Sequence, residues 1–180
     1  MPYYIGDVIQ EQSRLIARTP EKFRDGGIDV MLSSKVAGID PAAGTVDLEG
    51  GRRLAYDYLM MATGAMAFVP SMPGLDLPGV FSLRNLEDAI TIKSWLQDKN
   101  AKRVVIIGGG FIGLEMSEAL HAAGIAATII HKDPLPANRW DPELSALMLE
   151  ELQSHGVEFV ANTAAQGIEK GSAAPLRGRP

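Results

Sequence analysis

Between Val104 and His131 the chain reads Val-Val-Ile-Ile, then Gly-Gly-Gly-Phe-Ile-Gly, then a helix-length segment and a second apolar run ending at Ile130-His131. Four consecutive apolar residues with β-branched members predict a strand buried on both faces, as in a parallel sheet. Gly108, Gly110 and Gly113 spell G-x-G-x-x-G. In that motif the first glycine permits a tight turn and the second lets backbone approach a diphosphate. The third lets the following helix lie close to the strand, with the diphosphate at the helix N-terminus. In a chain with 19 glycines the motif alone says little. Its flanks carry the argument: a strand before it, a helix Phe111–Ala123 stopped by Gly124, and a strand Ala126–Ile130. Together they predict a nucleotide-binding β-α-β unit.

An apolar content of 46% and a charged content of 22% are those of a globular protein. The net charge of −5 argues against a nucleic-acid or membrane-surface role. No apolar run reaches membrane-spanning length, and the start, Met1-Pro2-Tyr3-Tyr4, lacks the basic region and apolar core of a signal peptide, so a cytoplasmic location is expected. Cysteine is absent, which excludes disulfides, thiolate metal sites and redox chemistry by thiols within this sequence. No metal-ligand cluster and no catalytic set is recognisable. Residues 1–100 offer no His, Tyr-Lys or Ser arrangement, and His121 and His155 read as helix-surface residues.

Along the rest of the chain, residues 1–18 lack periodicity and read as an extended loop. Thr19 caps a short helix opened by Pro20 and closed at Gly26-Gly27. Ile28–Leu32 reads as a strand. Lys35–Ile39, Thr45–Leu48 and Arg53–Tyr56, separated by glycine-containing turns, predict a three-stranded meander. Asp57–Ala62 reads as a longer strand ending at Thr63-Gly64-Ala65, either a plain turn or a place where backbone meets a ligand. Residues 66–79 form a proline-rich connector, Val80–Leu83 a short strand, and Asn85 with Asp88 the capping box of a helix reaching Asn100. That helix sets Ala89, Ile92, Trp95 and Leu96 near one face, with Trp95 in a core rather than stacked on a ligand. Asp141-Pro142-Glu143 starts another helix with Leu144, Leu147, Met148 and Leu152 on one face, stopped at His155-Gly156. Val157–Val160 is the expected third parallel strand, and residues 171–180 read as a disordered tail.

In a doubly wound sheet the glycine-bearing strand has neighbours on both sides. Here the expected strands leave Val104–Ile107 at an open edge, and the first half has a meander without a glycine fingerprint of its own.

One resemblance accounts for both features. Pro2-Tyr3-Tyr4-Ile5-Gly6, Arg18-Thr19-Pro20-Glu21-Lys22-Phe23, Tyr56-Asp57 leading to Ala62-Thr63-Gly64-Ala65, Leu83-Arg84-Asn85-Leu86-Glu87-Asp88 and Gly108–Glu115 occur in order. The sequence resembles the FAD-dependent pyridine nucleotide-disulfide oxidoreductases, in the branch of coenzyme A-disulfide reductases, NADH oxidases and NADH peroxidases. The resemblance implies an α/β, Rossmann-like FAD/NAD(P)-binding two-dinucleotide-domain fold, incomplete, with a three-stranded β-meander in its first part. Residues 1–100 would be a partial FAD-binding domain and residues 101–170 the first half of the NAD(P)-binding domain. The parent would be a homodimer whose dimer-forming domain is not in this sequence. Met1-Pro2-Tyr3-Tyr4 matches the end of the branch's Cys-Gly-Leu/Met-Pro-Tyr-Tyr stretch, which would put the redox cysteine two residues before Met1. Met1 is then expected to be an internal methionine of a longer frame.

By the same resemblance, Gly108, Gly109, Gly110, Phe111, Ile112 and Gly113 would cradle NAD(P)H, and Ala62, Thr63, Gly64 and Arg84 would contact FAD. Glu115 would face the nicotinamide end, or is a carboxylate favoured by the helix dipole. At the end of the second strand, where NAD-specific units place an acid, stand His131 and Lys132, with Arg139 in the next loop. Losing one negative charge and gaining up to three cations favours NADPH, with Asp133 as a partial offset and with Lys132 and Arg139 pointing into solvent as the alternative. In the parent a hydride would pass from NAD(P)H to FAD and on to a disulfide, peroxide or oxygen. This sequence alone would lack turnover, and the runner-up is a non-catalytic nucleotide-binding module completed by a partner chain.

Overall fold

The computed structural model describes residues 1–171, so residues 172–180 of the expected tail lie outside the described residues. Two compact units form: Ile16–Met66, and a larger one made of Met1–Leu15 and the chain from Ala67 on.

In the smaller unit, helix α2 (Pro20–Asp25) begins where expected. The Lys22 N–H donates to the Thr19 hydroxyl at 3.5 Å, and Gly27 leaves the helix at φ +78. The meander also forms, as β1 (Val36–Asp40), β2 (Thr45–Leu48) and β3 (Arg53–Ala55) in antiparallel order. At its first turn the Asp40 carboxylate accepts from the Ala42 and Ala43 N–H groups, each at 3.0 Å, while Gly44 takes φ +64. Val46 and Leu48 of β2 are buried, and the Arg53 guanidinium grips the Asp47 carboxylate through two contacts of 2.6 and 3.2 Å. Two expected strands are absent. Ile28–Leu32 is irregular, and so is Asp57–Ala62, where Tyr58 is 96% exposed and Met60 89%. An apolar run becomes a strand only where a neighbouring ladder satisfies its N–H and C=O groups, and no described strand pairs with either segment.

In the larger unit the start of the chain is not an extended loop. Pro2–Ile5 forms helix α1, followed by a 3₁₀ turn at Gln12–Leu15. One turn is too short for periodicity to reveal, so tertiary packing decides it. Helix α3 (Leu86–Asp98) has the expected capping box: the Asn85 side chain accepts from the Asp88 N–H at 2.8 Å, and the Asp88 carboxylate accepts from the Asn85 N–H at 3.0 Å. α3 buries Ala89, Ile92 and the stem of Lys93, whose ammonium lies 2.6 Å from Asp7 and 4.1 Å from the centre of the Tyr4 ring. Trp95 packs edge-on against Phe81, as a core residue would, although Val80–Leu83 is irregular rather than a strand.

The parallel sheet contains β4 (Arg103–Ile107), β5 (Ala126–Ile130) and β6 (Glu158–Val160) in that order, pairing Ile107 with Ile130 and Ile130 with Val160. Helix α4 (Phe111–Ala122) links the first two strands and α5 (Pro142–Ser154) the last two, and both are followed by left-handed glycines, Gly124 and Gly156. Leu114, Leu120 and Ile129 sit at the core, joined by Ile5 of α1 and Ile92 of α3. α1 and α3 thus belong to the same compact unit as α4.

Two further expectations change. β4 lies at the open edge expected for it among the described residues, but it is not buried on both faces: Val104 and Ile106 join the core, while Val105 and Ile107 remain 47% and 45% exposed. On α5 the inward stripe is Ser145, Met148 and Leu152, so that Leu144 and Leu147, one position round the helix, face outward. The small Ser145 side chain lets α5 approach the loop before it, reaching the Ala137 carbonyl at 3.4 Å.

Candidate functional site: the glycine turn between β4 and α4

β4 delivers the chain to Gly108, which turns at φ +111, a conformation costly for any residue with a Cβ. Its N–H still donates to the Ile130 carbonyl at 2.9 Å, so the turn starts from an intact ladder. Gly110 is the N-cap of α4 and gives no side-chain hydrogen bond to the first turn. The helix thus presents backbone N–H groups and the positive end of its dipole without a side chain in front of them. A Cβ on Gly110 would meet nothing within 4 Å, so the approach to that turn is open. A Cβ on Gly113 would lie 2.1 Å from the Gly108 carbonyl oxygen, which is the close helix-to-turn packing the third glycine was expected to allow.

The second residue of the motif is held from three sides. The Gly109 N–H donates to His131 Nδ1 at 3.1 Å, and its carbonyl accepts from the Ala137 N–H at 2.8 Å. A Cβ at Gly109 would come within 2.9 Å of the Phe159 ring. His131 is buried, with its Nε2 facing the Asp133 carboxylate at 3.6 Å and making no hydrogen bond. It is therefore turned inward onto the glycine turn, not outward as one of the cations expected beside it. Nothing in the hydropathy pattern signals this grip; the one available hint is that the motif's variable second position is itself a glycine.

Phe111 and Ile112 of the first helical turn are about half exposed, and Phe111 tilts against Trp140 with ring centres 5.3 Å apart. Lys132 and Arg139 are exposed, and neither forms an ion pair among the described residues. Asp133 is occupied instead by the Asn138 amide, at 2.5 Å, and by the His131 ring. Glu115 lies on the exposed side of α4. The Tyr3 hydroxyl donates to Glu118 at 3.2 Å, and the charge of Glu118, with a smaller contribution from Glu115, raises the Tyr3 phenol above its ordinary range.

The other candidates fall in different units. Ala62, Thr63 and Gly64 belong to the smaller unit, in exposed irregular backbone with Gly64 at φ +72. Arg84 belongs to the larger one; its N–H donates to Asp88 at 2.8 Å, as an extension of the α3 cap, and the residue is exposed.

An open glycine turn, an uncapped helix N-terminus and two unpaired cations on the following loop fit a phosphate-bearing dinucleotide. Among the described residues no cluster of three or more His, Asp or Glu side chains is arranged to hold a metal ion.

The sequence pattern of the family described as Pyridine nucleotide-disulphide oxidoreductase matches residues 3–176. An NADH oxidase of Methanocaldococcus jannaschii is 31% identical over 174 residues, a stretch that covers 93% of this chain and 39% of that protein. Reduced CoADR-RHD of Bacillus anthracis superposes with a TM-score of 0.87 at 33% identity, over 94% of this chain and 32% of its own. An engineered water-forming NADPH oxidase bound to NADPH, a mutant of the Lactobacillus brevis NADH oxidase, superposes with a TM-score of 0.84 at 25% identity, over 95% of this chain and 39% of its own. The chain thus spans about a third of the length of these proteins.

Proposed function

Since the chain belongs to the pyridine nucleotide-disulphide oxidoreductase family, we propose that it is the dinucleotide-binding part of an FAD-dependent NAD(P)H oxidoreductase. Residues 101–170 form the first half of the NAD(P)H domain and residues 1–100 a part of the FAD domain. When bound, the two cofactors supply the chemistry, a hydride passed from the reduced nicotinamide to flavin and on to a disulfide, peroxide or oxygen acceptor. The observation that carries the reading is the glycine turn. Gly110 leaves its approach open, and α4 offers uncapped N–H groups to a diphosphate.

What this chain's own residues do is bind and orient. Gly108–Gly113 hold the diphosphate, and Phe111 with Ile112 shields one side of it. Ala62, Thr63, Gly64 and Arg84 contact the flavin nucleotide, and Glu115 faces the nicotinamide end. With no cysteine in this sequence, any thiol relay draws on residues other than these.

At the adenosine end we propose a preference for NADPH. Lys132 and Arg139 are exposed without ion-pair partners among the described residues, and Asp133, next to Lys132, is engaged by Asn138. The engineered NADPH oxidase lends support, because its substitutions remove an aspartate and introduce two arginines. The test is a pair of titrations giving Kd for NADPH and NADH. NADPH should bind about tenfold tighter, and the double substitution Lys132→Ser, Arg139→Ser should erase the difference, each charge-assisted phosphate bond contributing roughly 1 kcal/mol or more. Equal affinities in the unaltered chain would defeat the preference, and failure of either nucleotide to bind would defeat the site.

A second reading is favoured by one observation, the open β4 edge with Val105 and Ile107 exposed: a nucleotide-binding module that pairs with another chain. The visible spectrum after adding FAD and gel filtration separates the two. A retained flavin band supports the oxidoreductase reading, and a colourless, NADPH-binding protein supports the module.

A further inference from the structure

His131 occupies the place where an acid usually meets the ribose, yet its ring is directed into the protein. Its backbone is fixed on both sides, the N–H donating to the Val160 carbonyl at 2.9 Å and the carbonyl accepting from the Thr163 N–H at 2.8 Å. From there Nδ1 accepts the buried Gly109 N–H at 3.1 Å, while Nε2 is buried without a hydrogen-bond partner. A backbone N–H can only donate, so this bond requires Nδ1 to be unprotonated and, in the neutral ring, puts the proton on Nε2. The charged groups around the ring are few. Asp133 faces Nε2 from the same loop, and Lys132 is exposed. β6 contributes the uncharged Phe159 ring, with Glu158 engaged by the Thr128 hydroxyl, and the glycine turn contributes backbone alone.

We propose that His131 is a positioning residue for the dinucleotide site, acting through Gly109: unprotonated at Nδ1, it fixes the peptide that orients the glycine turn, and protonation releases that turn. Protonated Nδ1 would set one N–H against another in a buried place, so Gly109 would lose its acceptor while Nε2 gained a charged partner in Asp133. Dinucleotide binding should then weaken as pH falls. The inference rests on reading the turn as a dinucleotide site, so its test includes an arm that needs no nucleotide.

That arm is long-range ¹H–¹⁵N NMR on the full chain at about pH 8. It should find the His131 proton on Nε2 and the Gly109 amide protected from exchange. A proton on Nδ1, or free exchange at Gly109, would overturn the proposal. The binding arm uses NADP⁺ with two variants. In H131N the Asn oxygen can stand near the Nδ1 position and accept from Gly109 without titrating, whereas the longer side chain of H131Q reaches toward the Nε2 position and leaves Gly109 unpaired. H131N also serves as the reference for the ligand's own titration. The Kd of the unaltered chain relative to H131N should be larger in acid than at about pH 8, and H131Q should bind about tenfold more weakly than H131N at both. A constant ratio, or H131Q binding as tightly as H131N, would overturn the positioning role. If NADP⁺ binds to none of the three, the dinucleotide reading fails, and the tautomer and the Gly109 exchange decide the positioning of the turn by themselves.

Discussion

Substituting the second and third glycines of the motif should separate binding from stability. At Gly110 an added Cβ meets nothing within 4 Å, and φ is −82, a value any residue adopts. Alanine is a poorer N-cap than glycine by up to about 1 kcal/mol, but it removes a similar amount of unfolded-state freedom, about 0.4–1 kcal/mol. Gly110→Ala should therefore leave stability within about 0.5 kcal/mol of the original while placing a methyl group where a diphosphate must approach. The expected loss of affinity is tenfold or more, about 1.4 kcal/mol. At Gly113 the added Cβ lies 2.1 Å from the Gly108 carbonyl oxygen and 3.3 Å from Ile106. Both the oxygen and the helix are backbone, so α4 would have to withdraw by about 1 Å, at an overpacking cost of about 1–3 kcal/mol. The gain in helix propensity offsets at most about 1 kcal/mol of this. Gly113→Ala should consequently lower the unfolding free energy by about 1–2 kcal/mol, with Tm falling by about 2–4 °C per kcal/mol in a chain of this size, and should weaken binding as well. Urea unfolding and calorimetric titration with NADPH read the two effects. Undiminished affinity in Gly110→Ala would refute the role of the open turn, and undiminished stability in Gly113→Ala would refute the close packing of α4 on it.

Two further outcomes are expected away from the turn. At Gly6 an added Cβ would stand 2.3 Å from the Ala119 carbonyl oxygen, and φ is −82, so the clash is steric alone. Gly6→Ala should lift α1 from α4, lower stability by about 1–3 kcal/mol and speed exchange of the Tyr4 and Ile5 amides, which donate to the Met1 carbonyl; unchanged exchange there would count against α1 as a docked helix. In the meander, hydrogen bonding from the Arg53 guanidinium, aided by its charge, holds Asp47 below the usual carboxylate range. The pair's contribution is then complete above the unfolded carboxylate value of about 3.9 and is lost as pH falls through the lower, folded value. Asp47→Asn should remove that part of the acid dependence in denaturation curves taken from about pH 5 down to 2.5, with little effect at neutral pH because the pair is exposed. A variant whose acid limb matches the original would show that the pair contributes nothing.

What could be read in advance, and what could not, divides by where the stabilising partner lies. The capping box at Asn85 and Asp88, the Thr19-Pro20 start, the glycine stops after α4 and α5 and the β-α-β unit itself depend on neighbours a few residues away, and all appear as expected. The strands expected at Ile28–Leu32, Asp57–Ala62 and Val80–Leu83 depend on distant ladders, and apolar composition alone cannot supply one. α1 was hidden for the opposite reason. Four residues carry no period, and what makes them helical is a close approach to Ala119, on α4, that only Gly6 permits.

The charge argument at the end of β5 went astray on a finer point. Sequence placed His131 and Lys132 at the end of the strand and Arg139 in the next loop and counted up to three cations, but direction matters more than number. The Gly109 N–H draws one of the three inward as an acceptor. The Asn138 amide takes up Asp133, the acid expected to offset them. Lys132 and Arg139 are the two of the three that stand exposed, on the side a phosphate would approach from solvent. The proposed NADPH preference therefore rests on Lys132 and Arg139 and not on His131.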